Sequence, residues 1–130
     1  MKNTFSFARL FIVSAALITS TAHAQWVLVA PAGNADFFMD KASITRKGDM
    51  VQVWELVNMG QSDSDGVRSS RFMVEYDCKG KRSRGLDMLT YSEPMGGGKL
   101  IQQLGPDPDG WEALPPNSTF SQRMDMACGR

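Results

Sequence analysis

Only two groups of residues in this 130-residue chain have types and spacing that could do chemistry. One is a pair of cysteines, Cys78 and Cys128, with no third. The other is a run of cations, Lys79, Lys81, Arg82 and Arg84, directly after the first cysteine. Two thiols can close a disulfide, stay reduced or bridge to another molecule. Four closely spaced cations can hold an anionic or protein partner, or can solvate the tip of a hairpin. Both readings of the cationic run place it on the surface, and only a binding measurement separates them.

Other motif-like stretches lack the residues their chemistry needs. Asp63-Ser64-Asp65-Gly66 and Asp107-Pro108-Asp109-Gly110 resemble the middle of a calcium loop. Aligned on the glycine, however, the anchoring acidic positions fall on Gln61 and Phe72 in the first and on Gly105 and Pro116 in the second. Both therefore read as turns. Gly96-Gly97-Gly98-Lys99 lacks the upstream glycine of a phosphate loop, where Glu93 stands, and Leu100 replaces the Ser or Thr that would meet magnesium. No paired carboxylates in a recognisable context offer a seat for acid–base catalysis.

The N-terminus bears on all of this. Lys2 and Arg9 flank the start of an apolar run from Leu10 to Ile18, and Ala22-His23-Ala24 has the small-x-small form of a cleavage site. Residues 1–24 read as a secretory signal peptide. Their apolar run is shorter than the about 20 residues that span a bilayer, and no later segment is apolar for long enough. Removal leaves 106 residues (130 − 24), one small domain over residues 25–130. It also removes Lys2, Arg9 and the only histidine, His23, so the mature charge is −2 (14 − 2 − 14). A near-neutral domain is not a generic binder of nucleic acid or of membrane surfaces. Without histidine it cannot hold a Ser-His-Asp or Cys-His pair, and it lacks the commonest zinc ligand. The expectation is a protein that is not an enzyme, with no metal and no cofactor.

Export takes the chain to an oxidising compartment, where a single intramolecular disulfide is the simplest use of two cysteines. Cys78 and Cys128 lie 50 positions apart (128 − 78), and closing a loop of that size is worth about 4 kcal/mol. Two free thiols or an intermolecular bridge remain the alternatives. Oligomeric state is open, and a homodimer is compatible with the sequence.

The elements that would position these groups can be read from periodicity. From Phe72 to Cys78, Phe72, Val74, Tyr76 and Cys78 share one face, while Arg71, Met73, Glu75 and Asp77 share the other, as in a half-buried strand. Lys79-Gly80-Lys81 turns this strand into a second, so Val67 to Tyr91 reads as a hairpin. Met50 to Asn58 is apolar on both faces and reads as a central strand. Gln25 to Ala30 is continuously apolar and reads as a strand buried on both faces, ended by Pro31. Ala42 to Arg46 and Lys99 to Leu104 complete the strands, the latter as the last, with Trp111 to Leu114 folding back over the core. Trp26, Trp54 and Trp111 are expected in the core.

Pro115-Pro116-Asn117-Ser118 is a helix start. Phe120, Met124, Ala127 and Cys128 then recur at helical spacing, with Gly129 just beyond. Met124, Met126 and Cys128 also alternate as in a strand, but Gln122 breaks that pattern. The expected fold is α+β: an antiparallel sheet of about five or six strands with one C-terminal helix packed on a face.

Val51-Gln52-Val53-Trp54-Glu55-Leu56-Val57-Asn58, Val74-Glu75-Tyr76-Asp77-Cys78-Lys79, Tyr91-Ser92, Trp111, Pro115-Pro116-Asn117-Ser118 and Ala127-Cys128-Gly129, in this order, resemble the surface-adhesin protein E family of Gram-negative bacteria. The resemblance covers nearly the whole mature chain. It implies the same sheet and helix, tied by a Cys78–Cys128 disulfide, and binding of host extracellular-matrix proteins at the cell surface. Surface-anchored members carry a lipid-attachment cysteine straight after the signal sequence, whereas Gln25 stands here. That departure points to the periplasm as an alternative to the surface, with an envelope protein, another envelope component or a small ligand as partner.

Overall fold

The computed structural model describes residues 24–107 and 109–130, so the signal-peptide reading lies outside the described residues except at Ala24. The strands are β1 (Trp26–Ala32), β2 (Ala35–Asp40), β3 (Thr45–Lys47), β4 (Met50–Met59), β5 (Ser69–Asp77), β6 (Arg82–Tyr91), β7 (Leu100–Leu104) and β8 (Glu112–Ala113), followed by helix α1 (Thr119–Cys128). Every pairing is antiparallel, in the order β1-β2-β4-β5-β6-β7. β3 pairs with β4 and β8 with β6. The main order has six strands, within the five or six expected, and two short strands bring the sheet to eight. Segments of three and two residues are too short for alternation to reveal them.

β4 and β5 are central, as the apolar content of both predicts. Their register sets Val51 opposite Tyr76 and Val53 opposite Val74. These residues, Cys78 and Met39 form the core on one face of the sheet, and α1 closes it with Met124 and Ala127. Burying each larger apolar side chain of this set contributes about 1.5–3 kcal/mol. The helix is held at both ends by its own sequence. Ser118 accepts from the Ser121 amide and Ser121 Oγ accepts from the Ser118 amide, a reciprocal cap. Gly129 takes the left-handed conformation, φ 78°, that ends the helix. Cys128 is bonded to Cys78 with Cα atoms 5.9 Å apart, so the last turn of α1 is tied to the end of β5.

Three expectations are corrected. β1 is an edge strand rather than one buried on both faces, and Val27 and Leu28 are exposed. A continuous apolar run does not say how many neighbours a strand will have. None of the three tryptophans belongs to the buried core. Phe120 is 50% exposed despite its helical spacing, because it lies in the first turn and rests against Arg123 instead of the sheet. The chain after β7 does fold back: β8 adds to the edge of β6, and Leu114 packs on the core.

Candidate functional site

The cationic run sits where β5 turns into β6. The register sets Glu75 opposite Arg84 and Asp77 opposite Arg82, two oppositely charged cross-strand pairs. Arg84 donates through Nε and Nη2 to Glu75 Oε1 at 2.9 and 2.7 Å, and Gln52 Nε2 donates to Glu75 Oε2 at 2.8 Å. Arg82 Nε donates to Asp77 Oδ2 at 2.9 Å, while Asp77 Oδ1 accepts from the Gly80 amide at 2.8 Å and so fixes the turn. The Gln52 hydrogen bond, with Arg84 behind it, holds the Glu75 carboxyl below its ordinary range against the opposing effect of burial. For Asp77 the Gly80 amide comes first and Arg82 second, again lowering the pKa.

Trp111 lies beneath both arginines, its ring 4.5 Å from the Arg82 guanidinium carbon and 4.6 Å from that of Arg84. β8 delivers it there: Glu112 and Ala113 pair with Ser83 and Arg82, and the Leu114 amide donates to Lys81 O at 3.0 Å. The four sequence-predicted residues therefore divide. Arg82 and Arg84 are braced by carboxylates and an indole ring, whereas Lys79 and Lys81 are exposed at the tip, Lys81 with φ 52°.

The same face carries a second arginine–tryptophan cluster, which sequence reasoning missed. Arg71 lies 5.7 Å from the Trp26 ring and 5.1 Å from the Trp54 ring. Trp54 is opposite Met73 and so diagonal to Arg71, within reach of a long side chain. Gly96, φ 73°, closes over Arg71, and a Cβ there would stand 3.0 Å from Arg71 Cδ. All three tryptophans thus meet arginines on the face that α1 leaves open, and no local pattern announces a pairing that only the sheet register creates.

Under the helix lies a buried polar group. Tyr76 donates to Glu55 Oε1 at 2.5 Å, and Arg123 Nε donates to Glu55 Oε2 at 2.7 Å. Phe37 and Phe120 flank the Arg123 guanidinium at 5.0 and 5.2 Å. Burial, reinforced by the neighbouring Glu55 charge, pushes the Tyr76 hydroxyl far above its ordinary pKa. For Arg123 burial alone would lower the pKa, but Glu55 and Tyr76 outweigh it and raise it. This cluster locks helix to sheet. Its sequence signal was an acid, Glu55, at a position shared with Val53 and Val57.

Among the described residues no group of three or more His, Cys, Asp or Glu side chains is placed to hold a metal ion. No described helix is long and apolar enough to cross a membrane. What the surface offers is a braced hairpin end and a face of partly buried arginines and tryptophans.

Solved protein structures share this architecture. Two crystal structures of Haemophilus influenzae protein E superpose with TM-scores of 0.62 and 0.58. The first is 17% identical over 84% of this chain and 91% of that one; the second, from a non-typeable strain, is 18% identical over 90% and 83%. At such identities the likeness shows the fold. No curated protein sequence matches the chain. The model of the family described as surface-adhesin protein E matches residues 26–129, nearly the whole described domain, and the chain belongs to that family.

Proposed function

We propose that this is an exported, non-enzymatic binding protein of adhesin type that holds a protein partner at the β5–β6 hairpin tip. Family membership supports the class. The observation that carries the site is the division of labour among the four cations: Arg82 and Arg84 are fixed by Asp77, Glu75 and Trp111, which stiffens the tip so that Lys79 and Lys81 are presented to solvent. A rigid hairpin loses less conformational entropy on binding than a mobile one. Host extracellular-matrix proteins are the partners the family name suggests.

The test is Lys79→Glu with Lys81→Glu. Both side chains are exposed, so the melting temperature should stay nearly unchanged while binding to immobilised matrix proteins and its salt dependence fall. Equal binding by the double variant and the parent would reduce the tip to a solvated turn. Arg84 is unsuitable for this experiment, because replacing it would strip Glu75 of its ion-pair partner and disturb the hairpin.

A second reading, a periplasmic protein that holds an envelope component or a small ligand, draws on Gln25 after the cleavage pattern. Labelling of intact cells by an antibody favours surface display. Recovery in the osmotic-shock fraction alone favours the periplasm.

A further inference from the structure

The main order of the sheet ends in two outer strands, β1 and β7, and they are treated differently. β1 is interrupted by a bulge between Leu28 and Ala30, contains Pro31 and packs against α1. Such features blunt an edge. β7 has none of them within its five residues, Leu100-Ile101-Gln102-Gln103-Leu104, which include neither charge nor proline. All five are exposed, Leu100 at 52% and Leu104 at 44%. Among the described residues β7 pairs only with β6. Its outer backbone donors and acceptors are a template for one more strand.

Beside this edge is an open pocket of about 600 Å³. Met59, Val67, Met88 and Ile101 give it apolar walls, with Ser70, Thr90 and Gln102 among them. Asp63 and Asp65 enter from the loop before β5, and among the described residues no lysine or arginine lines the pocket. Asp63 Oδ1 accepts from the Asp65 and Val67 amides, which fixes the loop. Thr90 is only 6% exposed, yet its hydroxyl has no hydrogen-bond partner among the described residues. A buried hydroxyl left unmatched is unfavourable, so a donor that reaches it gains on binding.

We infer that β7 accepts an extended segment of a partner protein by strand addition, and that a lysine or arginine of this segment enters the pocket between Asp63, Asp65 and Thr90. The free edge requires an occupant with an unpaired backbone. The two carboxylates, which have no cation beside them among the described residues, require a basic side chain, whose ammonium or guanidinium can donate to the Thr90 hydroxyl once that buried oxygen is uncovered. Leu100, Ile101 and Leu104 favour apolar neighbours. This inference deepens the protein-binding reading and rests on it, but it uses a different part of the molecule from the hairpin tip.

The test uses the whole mature protein and two synthetic peptides of alternating valine and threonine, one with a central lysine and one with glutamate in its place. In amide NMR spectra the lysine peptide should shift the Leu100–Leu104 and Thr90 signals and slow exchange of the β7 amides. Leu104→Lys, a change at an exposed position, should abolish the response, and Asp65→Asn should weaken it severalfold and reduce its salt dependence. Unchanged β7 signals, equal binding to Leu104→Lys, or equal binding of the glutamate peptide would overturn the proposal. So would self-association that Leu104→Lys abolishes, because a second copy would then hold the edge. If matrix binding is lost in Lys79→Glu/Lys81→Glu but persists in Leu104→Lys and no peptide docks, the general function survives and this site does not. If the peptide docks as expected while intact matrix proteins do not bind at all, the reverse holds.

Discussion

Glu55 of β4 and Arg123 of α1, 68 residues apart in sequence, form a buried ion pair with Nε and Oε2 2.7 Å apart. The Glu55 side chain is 2% exposed and that of Arg123 11%. Burial of both charges makes the pair sensitive to loss of one partner more than to loss of both. Arg123→Met should therefore destabilise the domain by about 3–5 kcal/mol, whereas Glu55→Leu with Arg123→Met should recover much of that. Denaturant unfolding of the three variants in a double-mutant cycle measures the difference. Equal losses in the single and double variants would remove the pair from the account of how the helix is held.

The disulfide fastens the same helix at its other end. Two arginines add to it: Arg46 donates to Cys128 O at 2.8 Å and Arg130 to Cys78 O at 2.6 Å. Reduction should lower stability by about 4 kcal/mol through the reopened loop. Cys128→Ser should expose α1 to proteolysis while far-ultraviolet circular dichroism retains the strand signal. Equal melting temperatures with and without reductant would contradict the assignment.

Stability should fall in acid for a reason that can be traced to the hairpin. Glu75 and Asp77 have folded-state pKa values lowered by their hydrogen bonds and arginines. Their contribution is complete above the unfolded carboxylate value of about 4 and is lost as pH falls through the lower folded values. Glu75→Gln should lower the melting temperature at neutral pH and flatten its decline below about pH 4. A parallel decline in parent and variant would exclude Glu75 as a source.

At high pH the sign reverses at Tyr76. Its folded pKa is raised by burial and by Glu55, so its contribution is full below the unfolded value of about 10 and is lost as pH rises above it. Tyr76→Phe removes that alkaline loss. It also leaves Glu55 Oε1 without its donor, at about 1–3 kcal/mol. A melting-temperature series across this range in parent and variant separates the two effects.

The sheet was legible because β4 and β5 carry long period-two patterns, and the helix because Ser118 and Gly129 mark its ends. The edge position of β1 was not, since Trp26 to Ala30 has the same apolar run at an edge as at a centre. The site was legible only as composition. Four cations near Cys78 located the hairpin tip, but the division into braced arginines and exposed lysines depends on which residues of β6 face Glu75 and Asp77, and on Trp111 arriving through β8. Arg71 between Trp26 and Trp54 was invisible for the same reason. Register is a property of paired strands, not of either strand alone.

Trp111 connects the bracing to the proposed binding site. Trp111→Ala removes the ring under Arg82 and Arg84 but leaves both carboxylate pairs, Arg82–Asp77 and Arg84–Glu75, in place. Two partly exposed cation–ring contacts are together worth about 1–2 kcal/mol, and each kcal/mol shifts the melting temperature of a domain this size by roughly 4–8 °C. The variant should therefore melt lower and show faster amide exchange in the turn from Lys79 to Lys81. If the tip binds because it is rigid, Trp111→Ala should weaken matrix-protein binding with its salt dependence intact, since no charge has been removed. Lys79→Glu with Lys81→Glu should instead reduce that salt dependence at an unchanged melting temperature. A Trp111→Ala protein that melts lower but binds with parental affinity would show that the lysines act as charges alone.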